Sequence, residues 1–393
     1  MSFNAHPSAR SPRRCVIRAD ASIAIGSGHI MRCLTLGEAL RARGDEVQFI
    51  VRAHEGNLAP TLRARGFPTH LLPSPIGGGD VREMGGPYPH SHWLGVSEER
   101  DAEECLRLLG EGECSDLAAL RREQAARDLD LLVVDHYSLG APFERALSAR
   151  FRRIVAIDDL ADRPHEVDAL IDASLRLGEP ASALYASLIP PESLLLSGPK
   201  YAILRDEFVD ARPAALSRRD GSLRRLLVSM GGIDADDRTS AILNALRAFM
   251  PEKVDVVMGS RAPALAKVEE LVASLPYAAE LHVDTPNMAR LMSEADLAIG
   301  AAGGTAYERA CLGLPSLVMG LAENQRTNVV NLVRAGAAIE VSPDALEGPR
   351  LAEMLRALSP ERMQVMSRAA AALVDGRGTQ RILRAIESLL GKK

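Results

Sequence analysis

Charge of one sign is what this sequence lacks first: 47 Lys and Arg stand against 52 Asp and Glu, a net charge of −5. Such a balance has no bulk attraction for a phosphate backbone, so nucleic acid is not expected as a partner and any phosphate must be held locally. Long apolar runs are missing too. No window approaches 18 consecutive apolar residues, and no stable membrane insertion is expected. The stretch Met1–Arg14 is rich in Arg, Pro and Ser and lacks the apolar core of a secretory signal, which predicts a disordered start on a soluble, cytoplasmic chain. The five cysteines, Cys15, Cys33, Cys105, Cys114 and Cys311, form no C-x-x-C pair and no metal-finger spacing, so neither a disulfide nor a structural zinc is expected. Aromatic residues make up 4% of the chain, with a single tryptophan, and supply no clear surface for meeting a membrane-bound acceptor.

What is present is apolar material for two cores: 393 residues with 47% hydrophobic content exceed the size of one ordinary domain. From Cys15 onward, short β-branched runs alternate with segments of helical period, the pattern of parallel strands joined by helices. A first series has strands over Cys15–Asp20, Val47–Val51, Thr69–Leu72, Leu131–Asp135, Arg153–Asp158 and Ala169–Asp172. Gly and Pro dominate Pro75–Pro89, which reads as an exposed loop, and helices are predicted over Glu98–Leu109 and Asp116–Asp128. A second series has strands over Arg225–Met230, Val254–Met258, Ala279–Val283, Leu297–Ile299, Ser316–Met319 and Ala338–Val341. The polar stretch Asp206–Ser222 breaks the alternation and reads as a linker. The expected organisation is a disordered 1–14, an N-terminal domain over 15–205, a linker over 206–222, and a C-terminal domain with terminal helices over 223–393.

Chemistry-bearing residues collect at the predicted strand ends, where open α/β sheets bind ligands. The first strand runs through Asp20 into Gly26-Ser27-Gly28-His29 and a helix that carries Arg32. Glycines there let backbone N–H groups approach a ligand, and the helix start favours an anion and disfavours a protonated imidazole, which suits His29 as a base. Asp135, His136 and Tyr137 end the strand LDLLVVD, and Asp158 and Asp159 end RIVAIDD. In the second series, Gly231 and Gly232 form one glycine turn; Gly303, Gly304 and Thr305 form another, followed by Glu308, whose carboxylate could accept from the two hydroxyls of a ribose while turn amides hold a diphosphate. Asn324 and Gln325 fall at the same edge. His90 and His92 have no companion ligand set and are a poor zinc signal; with Trp93 they read as a mobile flap anchored by the tryptophan.

The segments RADASIAIGSGHIMRCL (Arg18–Leu34), VVDHYSLG (Val133–Gly140), IDDLADRPHEVDALID (Ile157–Asp172), GPKYAILRDEF (Gly198–Phe208), SMGGID (Ser229–Asp234) and AAGGTAYERACLGLP with its following AENQ resemble the UDP-sugar hydrolases of pseudaminic acid biosynthesis, the PseG family. The resemblance implies a GT-B-like α/β fold, two Rossmann-like doubly wound domains facing across a cleft. It implies hydrolysis of UDP-2,4-diacetamido-2,4,6-trideoxy-β-L-altropyranose at the anomeric carbon with inversion, giving the free sugar and UDP, with no metal and no cofactor. The family's essential histidine corresponds to His29. Asp20, Gly26, Gly28, Arg32, Asp135, His136, Tyr137 and Asp159 then become sugar-side residues, and Gly231, Gly232, Gly303, Gly304, Thr305, Glu308, Asn324 and Gln325 the UDP side. Two alternatives use the same architecture: a GT-B glycosyltransferase acting on a UDP-N-acetylated sugar, and a hydrolysing UDP-sugar 2-epimerase. The sequence carries no signal for oligomeric state.

Overall fold

The computed structural model describes residues 11–75, 87–110, 128–321 and 323–391, with side chains of the helix that begins at Glu323 described from Gln325 onward. The helix expected over Asp116–Asp128 and most of the loop expected over Pro75–Pro89 lie outside the described residues.

Two parallel sheets carry the chain. The first contains β1 (Arg14–Ala19), β2 (Glu46–Arg52), β3 (Thr69–Leu72), β4 (Leu129–Asp135), β5 (Phe151–Ile157), β6 (Ala169–Asp172) and β7 (Leu194–Ser197), in the order β3-β2-β1-β4-β5-β6-β7. The second contains β8 (Arg225–Ser229), β9 (Lys253–Met258), β10 (Ala278–Val283), β11 (Leu297–Ala301), β12 (Ser316–Met319) and β13 (Ala338–Glu340), in the order β10-β9-β8-β11-β12-β13. Apolar runs such as LDLLVVD and RLLVS form central strands because both faces are covered by helices, so no alternation with polar residues is needed. β7 has no counterpart in the sequence reading, since its four residues LLLS are too short to show a period.

Each sheet has a point where the strand order reverses: between β1 and β4 in the first, between β8 and β11 in the second. Loops leaving adjacent strands there diverge to opposite faces and open a crevice at the carboxyl ends, the general binding position of doubly wound sheets. The register pairs Ala19 with Asp135, so the loops after β1 and β4 start side by side.

Two segments depart from the expected domain limits. Asp206–Ser217 is a helix despite Pro213, because tertiary contacts outweigh its polar composition. Phe208 and Ala215 are buried in the second domain's core, and the Arg212 guanidinium donates to the carbonyls of Cys311, Ala371 and Val374. The last helix, Gly378–Gly391, leaves the second domain and packs on the first: Ile382, Leu383, Ile386 and Leu390 join Cys15, Ile17, Leu36 and Leu40 in one buried cluster. Their spacing puts all four on one face of that helix.

Candidate active site

His29 is the second residue of the helix Gly28–Ala42, placed directly after the β1 loop, while Asp135 is the last residue of β4. The switch between those strands brings them together, with His29 Nδ1 2.6 Å from Asp135 Oδ1. Asp135 is fully buried and also accepts from Arg32 Nε at 2.6 Å, from an Arg32 terminal nitrogen at 2.6 Å and from the Cys33 thiol at 3.3 Å. Burial alone would raise this carboxyl; the Arg32 guanidinium and His29 outweigh it and hold Asp135 well below the usual carboxylate range. An ionised Asp135 can only accept, so His29 Nδ1 keeps its proton and donates to it, which leaves the lone pair on Nε2.

The other wall of this network is Tyr137, whose hydroxyl donates to Asp159 Oδ1 at 2.5 Å, while Arg32 reaches Asp159 Oδ2 at 3.3 Å. Burial pushes the Tyr137 phenol well up, so it stays a donor at neutral pH. Its ring meets the His29 imidazole edge-on at 4.5 Å between centroids. Asp159 remains partly exposed, so one carboxylate of the set reaches solvent.

Asp20 and His136 lie elsewhere than expected of sugar-contacting residues. Asp20 has no exposed surface: its oxygens accept from Arg18 at 2.6 and 2.9 Å and from the Arg52 backbone N–H at 2.6 Å. His136 Nδ1 accepts from the Ser138 backbone N–H at 3.0 Å, so its proton sits on Nε2, 3.5 Å from Asp20. Burial pushes His136 down to about 3 despite the opposing charge of Asp20, and the ring is neutral. Both residues form the floor beneath the site, joined to Asp101, which accepts from Arg18 and Arg52. Asp158 likewise turns inward, to Arg163 and Tyr185, while its neighbour Asp159 turns to the site.

In the second domain, the turns after β8 and β11 flank that sheet's switch point. Gly231 has φ +96°, a conformation that side chains disfavour, and a Cβ added at Gly231, Gly232 or Gly304 would meet nothing within 4 Å. These backbones therefore border open space, whereas a Cβ at Gly300, in the strand, would strike the Ser229 carbonyl and Arg309. Gly26 and Gly28 border open space in the same way across the cleft. Glu308 faces Arg205 at 3.4 Å, and burial raises its carboxyl against the pull of that arginine. Gln325 accepts from the Leu321 N–H at 3.2 Å and lies 3.7 Å from where a Gly303 side chain would begin. Thr305 opens the helix Thr305–Cys311, and the side chain of Asn324 lies outside the described residues. The domains meet directly where Arg261 donates to the Gly56 carbonyl at 2.8 Å, and where Tyr307 and Asn331 bond the Leu175 backbone at 3.2 and 2.6 Å.

Two parts of the site escape a reading of the sequence. The Asp135–His29 pairing joins residues 106 positions apart and follows only from strand order. The buried arginines Arg18 and Arg52 look like ordinary strand residues in the sequence; the one available signal is a charge inside an otherwise apolar central strand.

Residues 230–384 match the glycosyltransferase family 28 C-terminal domain. Over 297 residues the chain is 28% identical to the spore coat polysaccharide biosynthesis protein SpsG of Bacillus subtilis, covering 73% of this chain and 85% of that one. It is 23% identical over 329 residues to UDP-2,4-diacetamido-2,4,6-trideoxy-beta-L-altropyranose hydrolase of Campylobacter jejuni, covering 83% and 98%. The crystal structure of Acinetobacter baumannii MurG superposes with a TM-score of 0.59 at 16% identity, over 96% of this chain and all of that one. The fold is GT-B: two Rossmann-like domains, each a parallel sheet, with their carboxyl ends toward a shared cleft.

Proposed function

We propose that this protein is a UDP-sugar hydrolase, cleaving UDP from UDP-2,4-diacetamido-2,4,6-trideoxy-β-L-altropyranose with water. The observation that carries the reading is the Asp135-oriented His29 at one switch point, across the cleft from two open glycine turns at the other. Similarity to the Campylobacter hydrolase along nearly its whole length supports the substrate class.

In this reading the second domain holds the nucleotide: backbone N–H groups of Gly231–Gly232 and Gly303–Thr305 face the diphosphate, and Glu308 accepts from the ribose hydroxyls. Asn324 and Gln325 belong to the same subsite. The sugar lies on the first domain, among Gly26, Gly28, Arg32, Tyr137 and Asp159. Water attacks the anomeric carbon as the C–O bond to UDP breaks, and UDP leaves with the bonding electron pair. His29 Nε2 takes the proton from the water, and the ionised Asp135 stabilises the imidazolium that forms. Attack on the face opposite the leaving group inverts the anomeric configuration.

The family 28 match favours one other reading, transfer of the sugar to an acceptor other than water. Both are tested by incubating the protein with a panel of UDP-N-acetylated sugars, with EDTA and without acceptor, and following products by NMR. Release of UDP and free altro sugar of inverted configuration is expected. Turnover that begins only when an acceptor is added would overturn hydrolysis in favour of transfer.

A further inference from the structure

The segment between residues 87 and 97 plays no part in the mechanism above, yet it sets a half-buried tryptophan beside His29. Trp93 packs on Tyr137 with ring centroids 5.7 Å apart and planes at 28°, His90 lies 4.4 Å from Trp93, and the His29 ring meets Trp93 edge-on at 6.4 Å. His29 and Tyr137 are buried, whereas His90 and Trp93 are half-buried. The segment is held in place from three directions. Ser138 Oγ donates to the His90 carbonyl at 2.5 Å, a short turn over Ser91–Trp93 closes with the Trp93 N–H on the same carbonyl, and Leu94 and Val96 are buried in the core under the sheet. The helix Glu98–Leu109 that follows is tied down by Asp101 on Arg18 and Arg52 and by Glu98 on the Gly140 N–H. A ring fixed this way costs little further ordering when a ligand arrives.

We propose that Trp93, with His90 beside it, is the wall of the sugar subsite, an aromatic surface that receives the C–H face of a pyranose at His29 and so determines which sugars are accepted. The inference rests on the nucleotide-sugar reading above. A pyranose carries hydroxyl or acylamino groups around its rim and C–H bonds on its faces. The surroundings of His29 supply both kinds of group: Asp159, Arg32 and His29 offer polar atoms, and Trp93 offers an apolar ring.

Trp93 is the sole tryptophan of the chain, so its emission reports on this wall alone. The full-length His29→Asn protein, chosen to slow turnover, is titrated with UDP-2,4-diacetamido-2,4,6-trideoxy-β-L-altropyranose and separately with UDP, and binding is followed in parallel by calorimetry. The sugar nucleotide is expected to change the emission and UDP alone to leave it unchanged. Calorimetric binding of the sugar nucleotide without an emission change, or the same change with UDP, overturns the wall while leaving the nucleotide-sugar reading intact. Binding of neither ligand overturns both. In the active protein, Trp93→Ala should lower kcat/KM about tenfold and Trp93→Phe less than about threefold, the scale of one aromatic contact, with inhibition by UDP unaltered in both. A parallel loss of UDP inhibition would reassign Trp93 to a purely structural role and overturn the proposal.

Discussion

His29 and Asp135 show how the proposed catalytic pair is built from separated residues: a base is useful only in one tautomer and one orientation, and a carboxylate kept ionised by Arg32 enforces both. His29→Asn is expected to lower kcat for UDP release about 10²–10⁴-fold, the usual contribution of a positioned base, with little change in thermal midpoint. Asp135→Asn should also lose activity, and in addition lower the unfolding free energy by about 1–3 kcal/mol, because Arg32, a quarter exposed, loses its nearest carboxylate and keeps only the longer contact to Asp159; urea titration of the two variants separates these effects. His136 makes a different prediction. An unfolded histidine titrates near 6.5 and this one near 3, so between those values only the unfolded chain takes up the proton. Its contribution is complete above about pH 6.5 and is lost as pH falls toward 3, by up to about 1.4 kcal/mol per pH unit. Stability measured against pH should thus decline more gently in His136→Asn, by about one proton in the window from pH 6 to 4. At this scale the sequence marked His29 through its place after a glycine turn. It left Asp20 and Asp159 indistinguishable, since both are carboxylates just after a strand and only burial separates them.

At the scale of elements, the final helix is the clearest case of a segment whose place depends on tertiary packing. Its amphipathic spacing is plain in the sequence, but nothing local says that its apolar face completes the first domain's core rather than the second's. Ile382→Ala and Ile386→Ala should each cost about 2–5 kcal/mol as buried large-to-small changes, and should destabilise the first domain although both follow all the strands of the second in sequence; hydrogen exchange in β1 and β5 would register it. Gly378→Ala should act at the same joint, because an added Cβ would run into the Ala202 backbone, at a cost of about 1–3 kcal/mol. The helix Asp206–Ser217 makes the related point that a polar, Pro-containing stretch can be ordered by what it touches, here through Phe208 and Arg212. Strands were legible because central parallel strands must be apolar on both faces. The helix of residues 206–217 was not, because its order comes from a few long-range contacts.

For the whole molecule, the cleft joins two half-sites built on the same topological plan, and the proposed division of labour can be tested by separating them. Glu308→Ala should weaken inhibition by UDP about tenfold to a hundredfold, the worth of a hydrogen bond to a charged group, whereas His29→Asn should leave UDP affinity unchanged. Among the described residues no helix is long and apolar enough to cross a membrane. The sequence by itself determined the α/β class, the two series of strands, the glycine turns and the histidine, because each depends on local periodicity or on a backbone conformation that few residues adopt. Tertiary structure alone decided that Asp135 orients His29, that Asp20 and His136 lie beneath the site, that Trp93 stands beside it and that the last helix returns to the first domain. Those outcomes depend on strand order and burial, which bring together residues far apart in the chain.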